Sequence, residues 1–308
     1  MRSYHPHTPH QPPITPSGTF PHQHPAPPTP PGPTRRFSKK ILIFGGAGLA
    51  VLLVLLIGIV AGTGTSTNCA DVVFIGAAGS GQRTNPGENG DIGREMYQTW
   101  LNLKADADAA GLSAELRPVE YPADEVPFLE TAKIALDVYK KNQFDPSPLK
   151  PYFESISAGA DATTEEIKGA LRCRDSKIVV AGYSQGAMAV HRALHRVDPD
   201  EKIVAGVMVG DGDRLPQSQD PYVGTYQKSD TPKKSRGIAQ YSGFTSFSGA
   251  SPEPFSAEWA DRLGSACSDG DPVCAFAWFS FNEVSELNAH TSYDPADWRL
   301  FIRERITR

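Results

Sequence analysis

The pentapeptide Gly182-Tyr183-Ser184-Gln185-Gly186 sets one hydroxyl between two glycines, each two residues away. The apolar run Ile178-Val179-Val180-Ala181 precedes it, and Ala187-Met188-Ala189-Val190 follows with helical character. A serine on a sharp strand-to-helix turn has its hydroxyl raised above the sheet edge. The helix N-terminus then directs backbone N–H groups at negative charge developing beside it. Side chains two residues to either side would collide with the neighbouring strand and helix, which accounts for the glycines. Such a serine serves acyl transfer through a covalent intermediate.

That chemistry requires a base within hydrogen-bond reach of the hydroxyl. After residue 63 the chain has three histidines, His191, His195 and His290. His191 and His195 follow Ser184 on the same expected helix, which places them about 10 and 16 Å along its axis at ~1.5 Å per residue. Neither reaches the serine, so His290 remains by elimination, in the loop-like stretch Asn288-Ala289-His290-Thr291-Ser292-Tyr293. His191 and His195, with Arg192 and Arg196 beside them, read as a solvated helix face rather than a metal site. A carboxylate must orient the imidazole, and chain order places it between serine and histidine. Asp211 and Asp213 follow an apolar strand, whereas Asp269 and Asp271 lie between Cys267 and Cys274. A disulfide across that short span would pin a small loop rigidly, which favours Asp271, with Asp211 next.

Strands and helices alternate around these residues. Asp71–Gly76 reads as a buried strand, followed by a Gly/Ser/Asn/Pro loop to about Asp91. Helical spacing runs from Gly93 to Ala110, with Met96, Trp100, Leu101 and Leu103 as its apolar face. Ala114–Tyr121 alternates as a half-buried strand, and Pro118 points to a sheet edge or a bend. A helix is expected over Thr164–Leu171, a strand over Lys177–Ala181, a helix over Gln185–Leu194 and a strand over Lys202–Val209. This order indicates a parallel sheet covered by helices on both faces. Asp220–Ser251, rich in Ser, Gly and Lys, reads as loop.

The 308 residues divide by composition. Residues 1–40 hold 12 of the 27 prolines and five histidines, with five basic and no acidic side chains. Such a segment buries too little apolar surface to order itself and reads as a disordered tail. Its histidines, His5, His7, His10, His22 and His24, lack a metal-ligand spacing. Ile41–Gly62 is an uncharged apolar run of 22 residues, enough to span a bilayer as a helix. Arg35, Arg36, Lys39 and Lys40 on its N-terminal side would stay cytoplasmic. A single-pass anchor is therefore expected, with a proline-rich tail available to a cytoplasmic partner and residues 63–308 outside the cell. Cleavage within Ala61–Thr65 would instead release that domain.

The exported part carries 25 Lys and Arg against 35 Asp and Glu, a balance that disfavours nucleic acid as a partner. All four cysteines, Cys69, Cys173, Cys267 and Cys274, fall there. An even number in an oxidising compartment argues for two disulfides, and no zinc-type spacing is present. No metal and no other cofactor is expected.

Gly-Tyr-Ser-Gln-Gly-Ala at 182–187, Gly270-Asp-Pro-Val-Cys274 and His-x-x-Tyr at 290–293 together resemble the cutinase family of serine esterases, the cutinase-like esterases and lipases of the actinobacterial envelope above all. The resemblance covers about Cys69 to Tyr293. It implies a compact α/β hydrolase with a Ser184, Asp271 and His290 triad, and disulfides Cys69–Cys173 and Cys267–Cys274. It also implies an oxyanion hole from the backbone N–H of Gln185 and from Ser80, in Ala77-Ala-Gly-Ser80-Gly-Gln82. The family often has Arg where this chain has Ala78. Asp124–Phe153 exceeds what short members carry, and Val126–Tyr139 within it suggests an amphipathic helix, as flap or packing element. Ala275–Phe281 is apolar and lies between acid and base, a segment for acyl pocket, membrane contact or core.

The expected activity is thus hydrolysis of lipid-like carboxylic esters by a membrane-anchored, extracytoplasmic enzyme. An envelope acyltransferase would share the acyl-enzyme, and a non-catalytic fold binding lipid or a partner would share the architecture.

Overall fold

The computed structural model describes residues 69–125, 149–226, 234–241, 244–275 and 285–308. The expected tail, the apolar run Ile41–Gly62, the helix over Val126–Tyr139 and most of Ala275–Phe281 lie outside them. Among the described residues no helix is long and apolar enough to cross a membrane.

Strands β1 (Val72–Ala77), β2 (Ala114–Pro118), β3 (Lys177–Tyr183), β4 (Ile203–Val209), β5 (Val223–Thr225) and β6 (Leu263–Ala266) form one sheet. Their order is β2-β1-β3-β4-β6-β5, and every pairing is parallel. Pro118, which cannot donate to a ladder, ends β2 on the sheet's edge, as its chemistry requires. Along β1 the pleat sorts residues to opposite faces. Val73 and Ile75 pack towards α2 (Lys150–Leu171) and α3 (Gln185–Leu194), whereas Val72 and Phe74 pack towards α1 (Arg94–Ala109) and α5 (Ala296–Thr307). A parallel sheet buried on both sides follows from these near-continuous apolar strands. The Cys69–Cys173 disulfide joins the chain just before β1 to the chain just after α2.

Several elements differ from expectation. Helix α2 begins at Lys150, not Thr164. Gly159, Thr163 and Thr164 weaken its helical signal, yet each has a structural reason. A Cβ on Gly159 would lie 2.9 Å from Ala189 and from Tyr121, so the glycine permits close helix packing. The threonine hydroxyls donate to the carbonyls of Gly159 and Ala160 four residues back. Asp220–Ser251, read as loop, contains β5, the 3-10 turn Ile238–Gln240 and the helical turn Thr245–Ser248. Leu101 is 40% exposed, so the apolar face of α1 is Met96, Trp100 and Leu103 without it.

The largest correction concerns α3. Every residue from Gln185 to Leu194 is buried, so His191 and Arg192 are interior groups rather than a solvated face. Each has a carboxylate partner from the loop after β4. His191 Nδ1 lies 2.7 Å from Asp211, and Arg192 grips Asp213 through two nitrogens at 2.6 and 3.1 Å.

Candidate active site

Ser184 caps α3 directly after β3, with φ 54° and ψ −116°. A non-glycine residue avoids this backbone region unless its surroundings hold it there. Two glycines make the turn sterically feasible. A Cβ on Gly182 would meet the Gly186 carbonyl oxygen at 2.3 Å, and one on Gly186 would meet that of Ala77 at 2.3 Å. The Ser184 N–H donates to the Val209 carbonyl of β4 at 2.7 Å, and the Ser184 carbonyl accepts from the Met188 N–H at 3.1 Å.

The hydroxyl so presented lies 2.8 Å from His290 Nε2. The other ring nitrogen, Nδ1, lies 2.9 Å from Asp271 Oδ2. A carboxylate can only accept, so Nδ1 carries the proton and Nε2 is left as an acceptor for the serine proton. His290 is in α4 (Ser285–Thr291), and its ring stacks on Tyr183 at 5.3 Å between centroids. The Tyr183 hydroxyl donates to the His290 carbonyl at 2.7 Å, which fixes backbone and ring together. His191 and His195, excluded on distance, are engaged elsewhere. His195 stacks on Phe255 at 4.0 Å.

Asp271 is fully buried between Cys267 and Cys274, which are disulfide-bonded. Its Oδ1 accepts from the backbone N–H groups of Val273 at 2.7 Å and Cys274 at 3.2 Å, and Oδ2 also accepts from the Tyr293 hydroxyl. Burial alone would raise its pKa. The His290 ring and these donors outweigh that and hold the carboxyl below its ordinary value. Asp269 is exposed, and Asp211 and Asp213 are committed to His191 and Arg192.

Ser80 lines the same cavity as Ser184 and His290, but its hydroxyl donates to the Asp124 carbonyl at 2.6 Å. Gln185 is fully buried, and its side-chain amide reaches the Tyr152 carbonyl at 3.4 Å. In this chain, which has Ala78 at the start of the Ser80 loop, Gln82 and Glu95 brace that loop. The Gly79 N–H donates to Gln82 Oε1 at 2.8 Å, and Gln82 Nε2 donates to the buried Glu95 at 2.6 Å. Arg94 then pairs with Glu95 at 2.9 Å. Gly93 leaves room for this brace, since a Cβ there would lie 2.0 Å from Gln82. The brace escaped the sequence reading, although a Gln beside the loop and a Glu opening the next helix were its visible traces.

The cavity encloses about 580 Å³. One wall is apolar and aromatic, built by Leu149, Tyr152 and Phe153 at the start of α2 with Ile238, Phe244 and Val273. Gln82, Arg94, Glu95 and Thr291 also line the cavity, linked to one another beside His290. Among the described residues no three His, Cys, Asp or Glu side chains are arranged to hold a metal ion.

The cutinase of Botryotinia fuckeliana is 29% identical over 181 residues, 57% of this chain and 73% of that protein. The cutinase of Blumeria hordei is 27% identical over 150 residues, 48% of this chain and 52% of that one, so the chain spans about half of that relative's length. A solved cutinase-like protein from Cryptococcus sp. aligns over 79% of this chain and 94% of its own, at 17% identity and a TM-score of 0.48. The model of the Cutinase family matches residues 68–300. That match takes in well over half of the sequence and both ends of the Ser184–His290 pairing, and the chain belongs to the cutinase family.

Proposed function

We propose that this protein is a serine ester hydrolase acting on lipid-like carboxylic esters. The observation that carries the reading is the unbroken line from Ser184 Oγ to His290 Nε2 at 2.8 Å and from Nδ1 to the buried Asp271 at 2.9 Å. His290 takes the serine proton as Oγ attacks the ester carbonyl carbon. The oxyanion is stabilised by the backbone N–H groups of Gln185 and Ser80 (the Ser80 hydroxyl being engaged by Asp124). His290 returns the proton to the leaving alcohol, and water attacking through the same imidazole frees the acid. Asp271 stays ionised throughout and holds the ring in the tautomer whose Nε2 can accept.

The acyl chain lies along the aromatic wall of Tyr152, Phe153 and Phe244, where each buried methylene contributes about 0.8 kcal/mol. The polar wall beside His290 receives the alcohol, which must approach the imidazole that protonates it. Two disulfides accord with an oxidising compartment, and Ile41–Gly62 supplies the anchor that keeps the domain on the outer side of the membrane.

Hydrolysis of p-nitrophenyl esters of graded chain length tests the reading. Ser184→Ala and His290→Ala should each lower kcat by on the order of 10⁴-fold or more. An unaffected His290→Ala enzyme overturns it. Label from a fluorophosphonate probe should appear in the wild type and vanish in Ser184→Ala. Product analysis with an added alcohol acceptor separates hydrolysis from acyl transfer.

A further inference from the structure

We infer that Tyr293 is a positioning residue for the proposed reaction, holding Asp271 by its hydroxyl and tempering the basicity of His290. This rests on the esterase reading for its catalytic meaning, but its physical content can be measured without turnover.

Tyr293 is buried, at 6% exposure, two residues beyond α4. Its hydroxyl donates to Asp271 Oδ2, the same oxygen that receives the His290 Nδ1 proton. Its oxygen accepts the Ser268 N–H at 3.0 Å and contacts Cys274 Sγ at 3.4 Å. One phenol therefore ties both ends of the Cys267–Cys274 loop to the segment carrying the base. Its ring also stands edge-on to Tyr183 and to His290, at 6.2 and 6.4 Å between centroids.

Two donors on one carboxylate oxygen divide its negative charge. Without the phenol, the whole of Oδ2 would face Nδ1 and stabilise the imidazolium, raising the His290 pKa. The phenol draws part of the Oδ2 charge away from the imidazole. It remains a donor because burial first, and the Asp271 charge second, hold its proton tightly.

The other charged and titratable groups facing this assembly come from every neighbouring element. Helix α1 supplies Glu95 and Arg94, whose guanidinium reaches the Thr291 carbonyl at 3.4 Å. Tyr183 ends β3. The loop after β4 supplies Asp211 and buried Arg214, which donates to the Cys274 carbonyl at 3.0 Å and feels both Asp271 and Tyr293. Asp269 and Asp294 are exposed and screened by solvent. None of these shares an oxygen with Nδ1, so the phenol is the group whose removal acts on the imidazole through Oδ2 itself.

The test is Tyr293→Phe, which keeps the ring and deletes the hydroxyl. The His290 pKa, read by NMR titration of the imidazole C–H resonances, should rise by about half to one unit, the scale of one lost charge-assisted hydrogen bond. The acid limb of kcat/KM should rise with it. Site-specific 3-fluorotyrosine, a stronger donor of the same shape, should move the pKa downward and serves as the second variant if Tyr293→Phe fails to fold. An unmoved or oppositely shifted His290 pKa overturns the proposal, even where turnover falls. Wild-type protein without esterase activity but with the expected NMR shifts would overturn the esterase reading and leave the Tyr293 coupling standing.

Discussion

Asp271→Asn and Asp211→Asn make the same chemical change to two buried carboxylates that each hold the Nδ1 of a histidine. In both places one oxygen is committed to backbone. Asp271 Oδ1 accepts from Val273 and Cys274, and Asp211 Oδ1 accepts from the Asp213 N–H at 2.9 Å. An asparagine keeps its carbonyl oxygen there, so its amide NH₂ turns to the imidazole. Nδ1 must then accept, and the ring's proton moves to Nε2. At His290 this is fatal to catalysis, because a protonated Nε2 cannot take the proton of Ser184. The expected loss in kcat is about 10⁴-fold, and the buried Tyr293 hydroxyl, left facing an NH₂ in place of Oδ2, adds a stability cost of about 1–3 kcal/mol. At His191, above its raised folded pKa where the ring is neutral, the same shift leaves an N–H on Nε2, a buried atom that has no hydrogen-bond partner among the described residues. An unsatisfied buried donor costs about 1–3 kcal/mol, which at about 2–4 °C per kcal/mol lowers the melting temperature by about 2–12 °C. Turnover of the folded Asp211→Asn enzyme should stay near wild type. Thermal melts beside ester hydrolysis read both effects. A folded Asp211→Asn protein without activity, or an Asp271→Asn enzyme within about tenfold of wild type, would refute the division of roles.

The two disulfides should separate in the same way. Replacing Cys69 and Cys173 by serine opens a span of 104 residues and should cost roughly 4–5 kcal/mol of stability, against roughly 2 for Cys267 and Cys274, separated by 7. Activity at low temperature should fall more for the second pair, whose loop carries Asp271; chemical denaturation and initial rates on both double variants check this. The stacked histidines titrate oppositely. Burial lowers His191, but the Asp211 carboxylate outweighs it and raises the pKa, so the stability it contributes is full below about 6.5 and fades as pH rises through the higher folded value. The melting-temperature deficit of His191→Gln should therefore shrink above that pH. His195 is pushed down to about 4 by burial first and then by His191, so the fold resists its protonation. As pH falls from about 6.5 towards that value the wild type loses this stability, and the deficit of His195→Gln should shrink in the acid direction.

The site's chemistry was more legible in the sequence than the interior around it, for a physical reason. Gly-x-Ser-x-Gly carries its own steric explanation, three histidines allow elimination by helix geometry, and a short span between cysteines announces a pinned carboxylate. All of these are local features. His191 and Arg192 misled because their meaning depends on partners about 20 residues away, after β4. A helix stretch bearing His, Arg, His and Arg looks solvated until parallel pairing of β3 with β4 brings Asp211 and Asp213 alongside. Leu263-Gly264-Ser265-Ala266 has little intrinsic strand preference. It becomes β6 by lying between β4 and β5, where each neighbour supplies a ladder. The start of α2 was obscured by residues chosen for packing rather than propensity, Gly159 foremost.

The buried charges beside α3 also bear on why the strained serine persists. A non-glycine residue in Ser184's conformation costs about 1–3 kcal/mol and holds only where its surroundings over-determine it. The end of β4 meets α3 at both its ends. Val209 takes the Ser184 N–H at the first residue of the turn, and Asp211 and Asp213 take His191 and Arg192 two turns further on. Between those contacts lies Gly210, at φ 64°, where a Cβ would come within 2.9 Å of the His290 ring. One short segment, residues 209–213, thus borders the Ser184 backbone, the far end of its helix and the His290 ring. An ion pair buried this deeply contributes little net stability over an apolar replacement of the same volume, because desolvation offsets the attraction. Its directional hydrogen bonds nevertheless set how the far end of α3 lies against β4, whereas the Val209 carbonyl holds the turn from which Ser184 Oγ sits 2.8 Å from His290 Nε2. Proton transfer between these atoms requires that separation to stay within hydrogen-bond range.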